Sequence, residues 1–415
     1  MKTLRDSTWP SRRLSEVTQI QSGGTPRRDT GHYWANGSIP WITTSEVDGT
    51  RILATAQHIT EAGLRDSSAK LFPAGTVLVA MYGQGKTRGQ VGITGMEAAT
   101  NQASAALIAG NKMDPEFLFQ CLSNSYEELR GLSNSGGQDN LSAALVGAFR
   151  VPVPPLPEQR KIAEILSTWD DAIERLESAL ARKVARRTAV VYQLVFGPGA
   201  PHGTRWSQTA SSWNIQRIER VAREVSERNS GLAAEAVLTC SKHRGFVLSA
   251  DYFSRSVHSA DLRNYKLIAN GQFGFPSNHI EEGSIGLQNV LSLGAVSPIY
   301  TVFEFDPKSV DATFAYLVLK SRPYLQMFEA STNSSVDRRG SLRWPDFSLL
   351  PFPVPPLPTQ QHIATIAQDL DQEIALVSKE IDLLADQKRG LMQKLLTGDV
   401  RVNVELDQDS GRDQQ

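Results

Sequence analysis

Residues 151–166 read VPVPPLPEQRKIAEIL, and residues 352–367 read FPVPPLPTQQHIATIA. The offset is about 201 residues and holds without a gap for roughly forty residues. Ile162 maps onto Ile363, Asp170 onto Asp371, Ile173 onto Ile374, Leu180 onto Ile381, Leu194 onto Leu395 and Gly197 onto Gly398. So long a period exceeds that of any solenoid, so the chain holds two copies of a whole unit. Weaker echoes precede each copy. Trp9, Arg13, Leu14 and Val17 recur as Trp213, Arg217, Ile218 and Val221, and Lys70 and Gly75 recur as Lys266 and Gly271. The predicted order is a variable domain (1–150), a shared helix (151–197), a second variable domain (198–351), a second shared helix (352–402) and an acidic, disordered tail (403–415).

Each shared segment opens on Pro-Pro-Leu-Pro, whose last proline suits a first helical turn, and closes on glycine, a common C-terminal stop. About 40 residues lie between, or roughly 60 Å of helix. The apolar residues follow heptads. In the first helix Leu166, Trp169, Ile173, Leu176 and Leu180 form the seam, and in the second Ile374, Val377, Ile381, Leu384 and Leu391. Alternating three- and four-residue spacing sustained this long predicts a coiled coil, against the alternative of two bundle helices in separate domains. Charge predicts its direction. The first helix begins acidic (Asp170, Asp171, Glu174, Glu177) and ends basic (Arg182, Lys183, Arg186, Arg187). The second runs from Asp369, Asp371 and Glu373 to Lys388, Arg389 and Lys394. Antiparallel pairing sets acid against base at both ends, whereas parallel pairing sets like against like. Arg187 and Lys388 occupy the same seam position, either fixing register or snorkelling to solvent. The fold class predicted is α+β: two mixed α/β domains joined by two long helices in an antiparallel coiled coil with a pseudo-two-fold repeat. The variable domains would then lie at opposite ends of a rod.

Net charge is −1 over 415 residues, and the pI is about 6.7. A free-standing nucleic-acid binder usually carries a basic surplus, so such a surface here must be local or completed by partners. Only Cys121 and Cys240 are present, which excludes a disulfide framework and a Cys-based zinc site and fits a reducing cytoplasm. Neither a signal peptide nor a membrane-spanning run is read, so a cytoplasmic location and no membrane partner are expected.

The variable domains read as mixed α/β. Strands are expected at 38–47, 76–83, 245–249, 271–275 and 297–305, and helices at Pro115–Leu122, Leu141–Phe149 and 313–330. Residues 80–87, AMYGQGKT, nearly match a phosphate-binding loop, with Ala80 in place of the first glycine. That chemistry needs a helix directly after Lys86-Thr87, so that its amides face phosphates. The continuation RGQVGITG reads instead as a strand, so a β-turn exposing Lys86 and Arg88 is favoured. No spaced catalytic or metal-ligating cluster is found, and no catalytic residue, metal or resident cofactor is assigned.

Polar loops carry groups of the kind that contact phosphates and base edges. Arg, Gln and Asn read guanine and adenine edges, while Lys, Ser, Thr and backbone amides hold phosphates. In the first domain the candidates are Thr25, Arg27, Arg28, Lys86, Arg88, Gln138 and Asn140. In the second they are Lys242, Arg244, Asn278, His279, Arg338, Arg339 and Arg343, the three arginines forming the densest cluster. The competing description of each loop is plain solvated surface.

The order SGGTP, YW, IPWITTSEV, GTVLVAMYG, TNQA, GGQDNLS and VPVPPLPEQRKIA resembles the first half of a type I restriction–modification specificity subunit. NYKLI, FGFPSNH, SPIYTVFEF, SSVDRRGSL and PVPPLPTQQHIA resemble its second half, so the resemblance covers about residues 9–402. The resemblance implies two target-recognition domains, each reading half of a split double-stranded DNA target, with the helices setting the unread gap. It implies docking of methyltransferase (modification) subunits, expected as two copies, and allows restriction/translocase subunits. S-adenosylmethionine, ATP and magnesium would belong to those partners, and the chain itself would be non-catalytic. Two other readings compete: a coiled-coil scaffold without DNA reading, and an NTPase built around Lys86.

Overall fold

A computed structural model describes residues 4, 7–83, 85–132, 140–197, 213–253, 259, 261–333 and 341–403. The chain divides into two compact units, Met1–Glu177 with Lys379–Gln415, and Ser178–Ser378. Each unit therefore holds one β-rich domain and part of both long helices.

The helices run Leu156–Phe196 and Leu357–Thr397, 41 residues each. Gly197 and Gly398 follow at φ 93° and 78°, the left-handed conformation that ends helices and that glycine adopts without a Cβ clash. Gly398 is needed on a second count, because a Cβ there would lie 2.3 Å from Thr8 Oγ1. The predicted seam residues are all half-buried or buried: Leu166, Trp169, Ile173, Leu176, Leu180, Ile374, Val377, Ile381, Leu384 and Leu391. Between Leu370 and Leu391 nearly every other position of the second helix is exposed, so the buried stripe is as narrow as the heptads require.

The pairing is antiparallel in both units. In the first, Lys388 of the second helix donates to Asp170 near the start of the first helix. In the second, Arg187 near the end of the first helix grips Asp371 with two hydrogen bonds of 2.9 Å, and Lys183 reaches Glu373 at 2.7 Å. The Asp170–Lys388 and Asp371–Arg187 pairs are copies of each other under the sequence repeat. Of the two readings of the basic seam residues, the register-fixing one is therefore the one the geometry supports. Lys183–Glu373 has no such copy, because the repeat places Leu384 and Ala172 there.

In the first unit a five-stranded sheet runs in the order Thr18–Ser22, Ser104–Ala109, Val77–Ala80, Val91–Thr94, Arg51–Ile52. A four-stranded sheet of short strands, including Ile39–Ile42 and Ala98–Thr100, stands beside it around Trp41. The main core joins Val77, Val79 and Leu107 to Phe117 and Leu118, and to Ile162, Leu166, Leu395 and Leu396 of the long helices. The second unit repeats the frame with four strands, Ala222–Val225, Tyr300–Phe305, Phe273–Pro276 and Gly286–Leu287. Its core is more aromatic, with Phe273, Phe275, Phe303, Phe305, Phe347 and Phe352 linked by successive ring contacts. Burial of each such ring stabilises by about 1.5–3 kcal/mol.

Several expected elements are shorter than the sequence patterns suggested: the strands read at 76–83 and 297–305 are Val77–Ala80 and Tyr300–Phe305, the helix read at Leu141–Phe149 is Ala143–Ala148, and two others differ for a visible reason. The strand read at 38–47 ends at Ile42, because Thr43 and Glu46 form a capping box that turns Thr44–Glu46 into a 3₁₀ turn. The helix read at 313–330 is two, Ala312–Leu319 and Arg322–Asn333. Pro323 sits in the first turn of the latter, where its missing N–H is tolerated, and could not continue the former. The tail beyond residue 403 lies outside the described residues.

Candidate nucleic-acid interface

The β-registers show where the polar loops of the first domain leave the sheet. Ser22 lies opposite Ala105, and Ala80 opposite Ser104. The loops that follow Ser22 and Ala80, and the one that precedes Ser104, therefore share one end of the sheet. Met81 ties them to their neighbours: its N–H donates to Ala103 O at 2.8 Å, and its carbonyl accepts from Leu141 N at 3.0 Å. Asn140, beside Leu141, thus opens at the same place, and Thr25 Oγ1 meets Gln102 Oε1 at 2.5 Å. So Thr25, Arg27, Arg28, Lys86 and Asn140 are brought to one sheet end, while Gln138 lies outside the described residues.

The second domain repeats this arrangement. Val225 pairs with Val302 and Pro276 with Tyr300, so the loops after Val225 and Pro276 and the one before Tyr300 share a sheet end. Leu342 N donates to Ser277 O at 2.9 Å, the counterpart of Leu141 N to Met81 O. Asn278, His279 and Arg343 are exposed there. Arg338 and Arg339 lie outside the described residues.

The root of each long helix is also duplicated. Gln159 is completely buried: its Oε1 accepts from Asp114 N at 2.8 Å, and its Nε2 donates to Lys112 O at 2.9 Å and Pro154 O at 2.7 Å. Gln360, equally buried, repeats this with Asp311 N at 2.9 Å, Ser309 O at 2.9 Å and Pro355 O at 2.8 Å. The glutamine two residues past each Pro-Pro-Leu-Pro thus bolts the helix start to its own domain. Asp114 and Asp311, in turn, cap the domain helices that follow them.

The type I restriction modification DNA specificity domain matches this chain over residues 6–184 and 282–385. The chain belongs to that family. Its specificity-subunit relatives include the MjaIX subunit of Methanocaldococcus jannaschii, 21% identical over 418 residues, covering 95% of this chain and 94% of that protein. The EcoR124I/EcoR124II subunit of Escherichia coli is 27% identical over 179 residues, and the aligned part covers 42% of this chain and 44% of that protein. In fold, the chain resembles the type I S subunit from M. genitalium, with TM-score 0.58 and 16% identity, covering 95% of this chain and 98% of that one. A chain from a structure of type I complex assembly and conformational transition aligns at TM-score 0.55 and 15% identity, covering 94% and 98%. This is a specificity subunit, a non-catalytic member of a type I restriction–modification system.

Within the specificity subunit the candidate cations differ in how far they are committed to the protein. Arg27 spends its charge on Asp29 at 3.1 Å, and the guanidinium of Arg27, held beside it, keeps the Asp29 carboxyl below its usual range. Arg88 Nη2 turns inward to Arg130 O at 3.4 Å. Tyr126 Oη donates to Lys86 O at 2.7 Å, leaving the Lys86 side chain exposed. The hairpin around Lys86 runs straight into Val91–Thr94, antiparallel to Val77–Ala80. No helix follows Lys86-Thr87, so the phosphate-loop reading fails on geometry. Lys242 and Arg244 sit on the tight turn between Leu238–Ser241 and Gly245–Leu248. Lys320 Nζ bridges Lys242 O at 2.6 Å and Gly283 O at 2.7 Å, and burial lowers its pKa. His279 leans on Glu282 at 3.3 Å, and ligand-capable atoms of His279, Glu281 and Glu282 lie within 4.8 Å of one another. Acidic turns of this kind are common without an ion.

Sequence reasoning missed Gln57, Gln102 and Trp34, which hold the first loop, and Lys320, which holds the second domain's turn. Isolated Gln and Lys in loops carry no periodic signal. The repeated glutamine, by contrast, was visible in the aligned motifs but carried no role until its partners were seen. No helix among the described residues is long and apolar enough to cross a membrane.

Proposed function

We propose that residues 1–150 and 198–351 are two target-recognition domains, each reading one half of a bipartite double-stranded DNA site. The segments 151–197 and 352–402, through the helices Leu156–Phe196 and Leu357–Thr397, set the gap between the halves, and 403–415 is an acidic tail. The observation that carries this reading is the duplicated loop frame: two sheets present their polar loops through the same backbone contacts, Leu141 to Met81 and Leu342 to Ser277. A repeated frame with unlike loop sequences is what reading two different half-sites requires. Thr25, Arg28, Lys86, Asn140, Lys242, Arg244, Asn278 and Arg343 are the proposed contacts. Gln138, Arg338 and Arg339 join them on sequence grounds alone. Arg27, His279 and the inward-turned Arg88 rank lower, each being partly committed to the protein.

The proposed partners are two methyltransferase subunits and, where present, restriction/translocase subunits, with S-adenosylmethionine, ATP and magnesium on those chains. A net charge of −1 supports such sharing, since a lone subunit supplies little phosphate neutralisation. Duplicated surface grooves support two copies of one partner. One is lined by Ser123, Glu127, Lys388 and Arg389, the other by Lys320, Arg187, Thr188 and Val191. A map of adenine methylation with and without this gene, the methyltransferase subunit being expressed throughout, tests the whole reading. One split motif with a fixed gap should lose its methylation. An unchanged map would favour a scaffold that reads no DNA.

A further inference from the structure

We propose that Arg28 is a specificity-determining residue that demands a guanine in the half-site read by the first domain. The inference rests on the DNA-reading role proposed above and names one base of the target.

Arg28 and Arg27 are adjacent but differently treated. Arg27 is neutralised by Asp29. The Arg28 guanidinium lies 3.9 Å from the centre of the Trp34 ring and 4.8 Å from that of Trp41, and its Nη1 donates to Gln57 Oε1 at 2.6 Å. It has no carboxylate partner among the described residues. Its charge is therefore uncompensated while its position is fixed.

The fixing is built from the core outward. Trp41 is 2% exposed and packs with Ile39, Ile59 and Ala99. Trp34 meets it edge-on, ring centres 5.1 Å apart. The two indole N–H groups then hold the loop backbone on both sides of Pro26: Trp41 Nε1 donates to Gly24 O at 2.9 Å, and Trp34 Nε1 donates to Arg27 O at 3.1 Å. Thr25, between them, is tied to Gln102. Loop, ring and guanidinium thus form one braced piece at the sheet end where the other polar loops emerge.

A braced guanidinium suits one kind of task. A phosphate is satisfied by any nearby cation, and an exposed lysine serves as well. Guanine offers O6 and N7 side by side, and two parallel N–H groups of a guanidinium match them only in the right plane. Stacking on a tryptophan face sets that plane before DNA arrives and lowers the rotamer entropy lost on binding. Gln57 occupies one N–H, which leaves the remaining donors for a base edge.

The test is adenine methylation, together with binding enrichment, on a random-sequence DNA library. The assay uses the complex of this chain with its methyltransferase subunit, in wild type, Arg28→Lys and Arg28→Ala forms. Both variants should lose discrimination for guanine at one position of one half-site by roughly five- to 150-fold. The other half-site and the gap should stay unchanged, which shows that the complex has folded. Arg28→Lys matching the wild type, with Arg28→Ala weakening all sequences alike, would mark a phosphate contact and overturn the assignment. So would an unchanged motif, or equal loss at both half-sites, which would mark a merely structural brace. A wild-type complex with no split motif would instead sink the DNA-reading proposal itself.

Discussion

At the roots of the long helices the two halves of the chain are wired alike. Gln159 and Gln360 make the same three hydrogen bonds in the same order. Asp170–Lys388 and Asp371–Arg187 are the same ion pair twice. At the sheet ends the halves diverge. The first presents an arginine braced on two tryptophans, the second a histidine beside two glutamates, and only the backbone contacts that launch the loops are shared. The difference separates two demands on one duplicated unit. Buried polar clamps tolerate little change, because each lost partner strands a desolvated group. Exposed loops on a fixed frame can change chemistry at little cost in stability, and reading unlike half-sites requires that they do.

The comparison breaks most visibly if the shared part can be altered without touching the divergent part. The ion pairs of the second unit place Leu180 near Ser378, so one heptad inserted after each keeps the seam in phase. The expected outcome is a longer unread gap with both half-site sequences intact, read from the methylation motif. A changed half-site would mean that the helices take part in base reading. Next in size is Gln159→Leu. It leaves Asp114 N, Lys112 O and Pro154 O without their partner, and a loss of about 3 kcal/mol or more is expected. Hydrogen exchange should show the loss in the first unit, and Gln360→Leu should move it to the second. Equal loosening of both units by either change would deny that the clamps act locally.

How much of this the sequence carried depends on the kind of contact. Helix limits, seam and antiparallel sense were legible because heptads, prolines, glycines and charge blocks act over short, regular spacings. The capping box at Thr43 and Glu46 was also readable, but the β-branched run before it suggested a longer strand. The aromatic brace of Arg28 was not legible. It joins residues 24, 27, 28, 34, 41 and 57 through an antiparallel strand pairing and two indole hydrogen bonds, and no spacing rule encodes those. For the same reason the sequence could rank the candidate arginines only by density, which put Arg338, Arg339 and Arg343 first and gave Arg28 no distinction.

A smaller effect sharpens the duplicated ion pairs. Lys388 is well covered and Asp170 about two-fifths exposed, so a double-mutant cycle with Lys388→Met and Asp170→Asn should give a coupling of about 1 kcal/mol. The Arg187–Asp371 cycle should give a similar value, and both should shrink as salt is raised. A coupling near zero in one unit alone would show that the copies have diverged in the seam as well.

The smallest expected effect separates the first domain from the second by pH. Burial of Glu46 acts to raise its pKa, but hydrogen bonds from Thr43 N, Ala56 N, Thr43 Oγ1 and Thr55 Oγ1 together outweigh it, and the carboxyl sits below its usual value. A folded-state pKa below the unfolded one means that the unfolded chain binds the proton more readily. The stabilisation is therefore fully present above the ordinary glutamate range and fades as pH falls through the lowered folded value. No such four-donor glutamate occurs among the described residues of the second unit. Hydrogen-exchange protection around residues 43–56, taken relative to the intrinsic rate at each pH, should fall on acidification before that of the second unit's strands, and Glu46→Gln should lower it at neutral pH and flatten that dependence. A Glu46→Gln variant with the wild-type acid response would assign the loosening to other carboxylates and remove Glu46 as the cause.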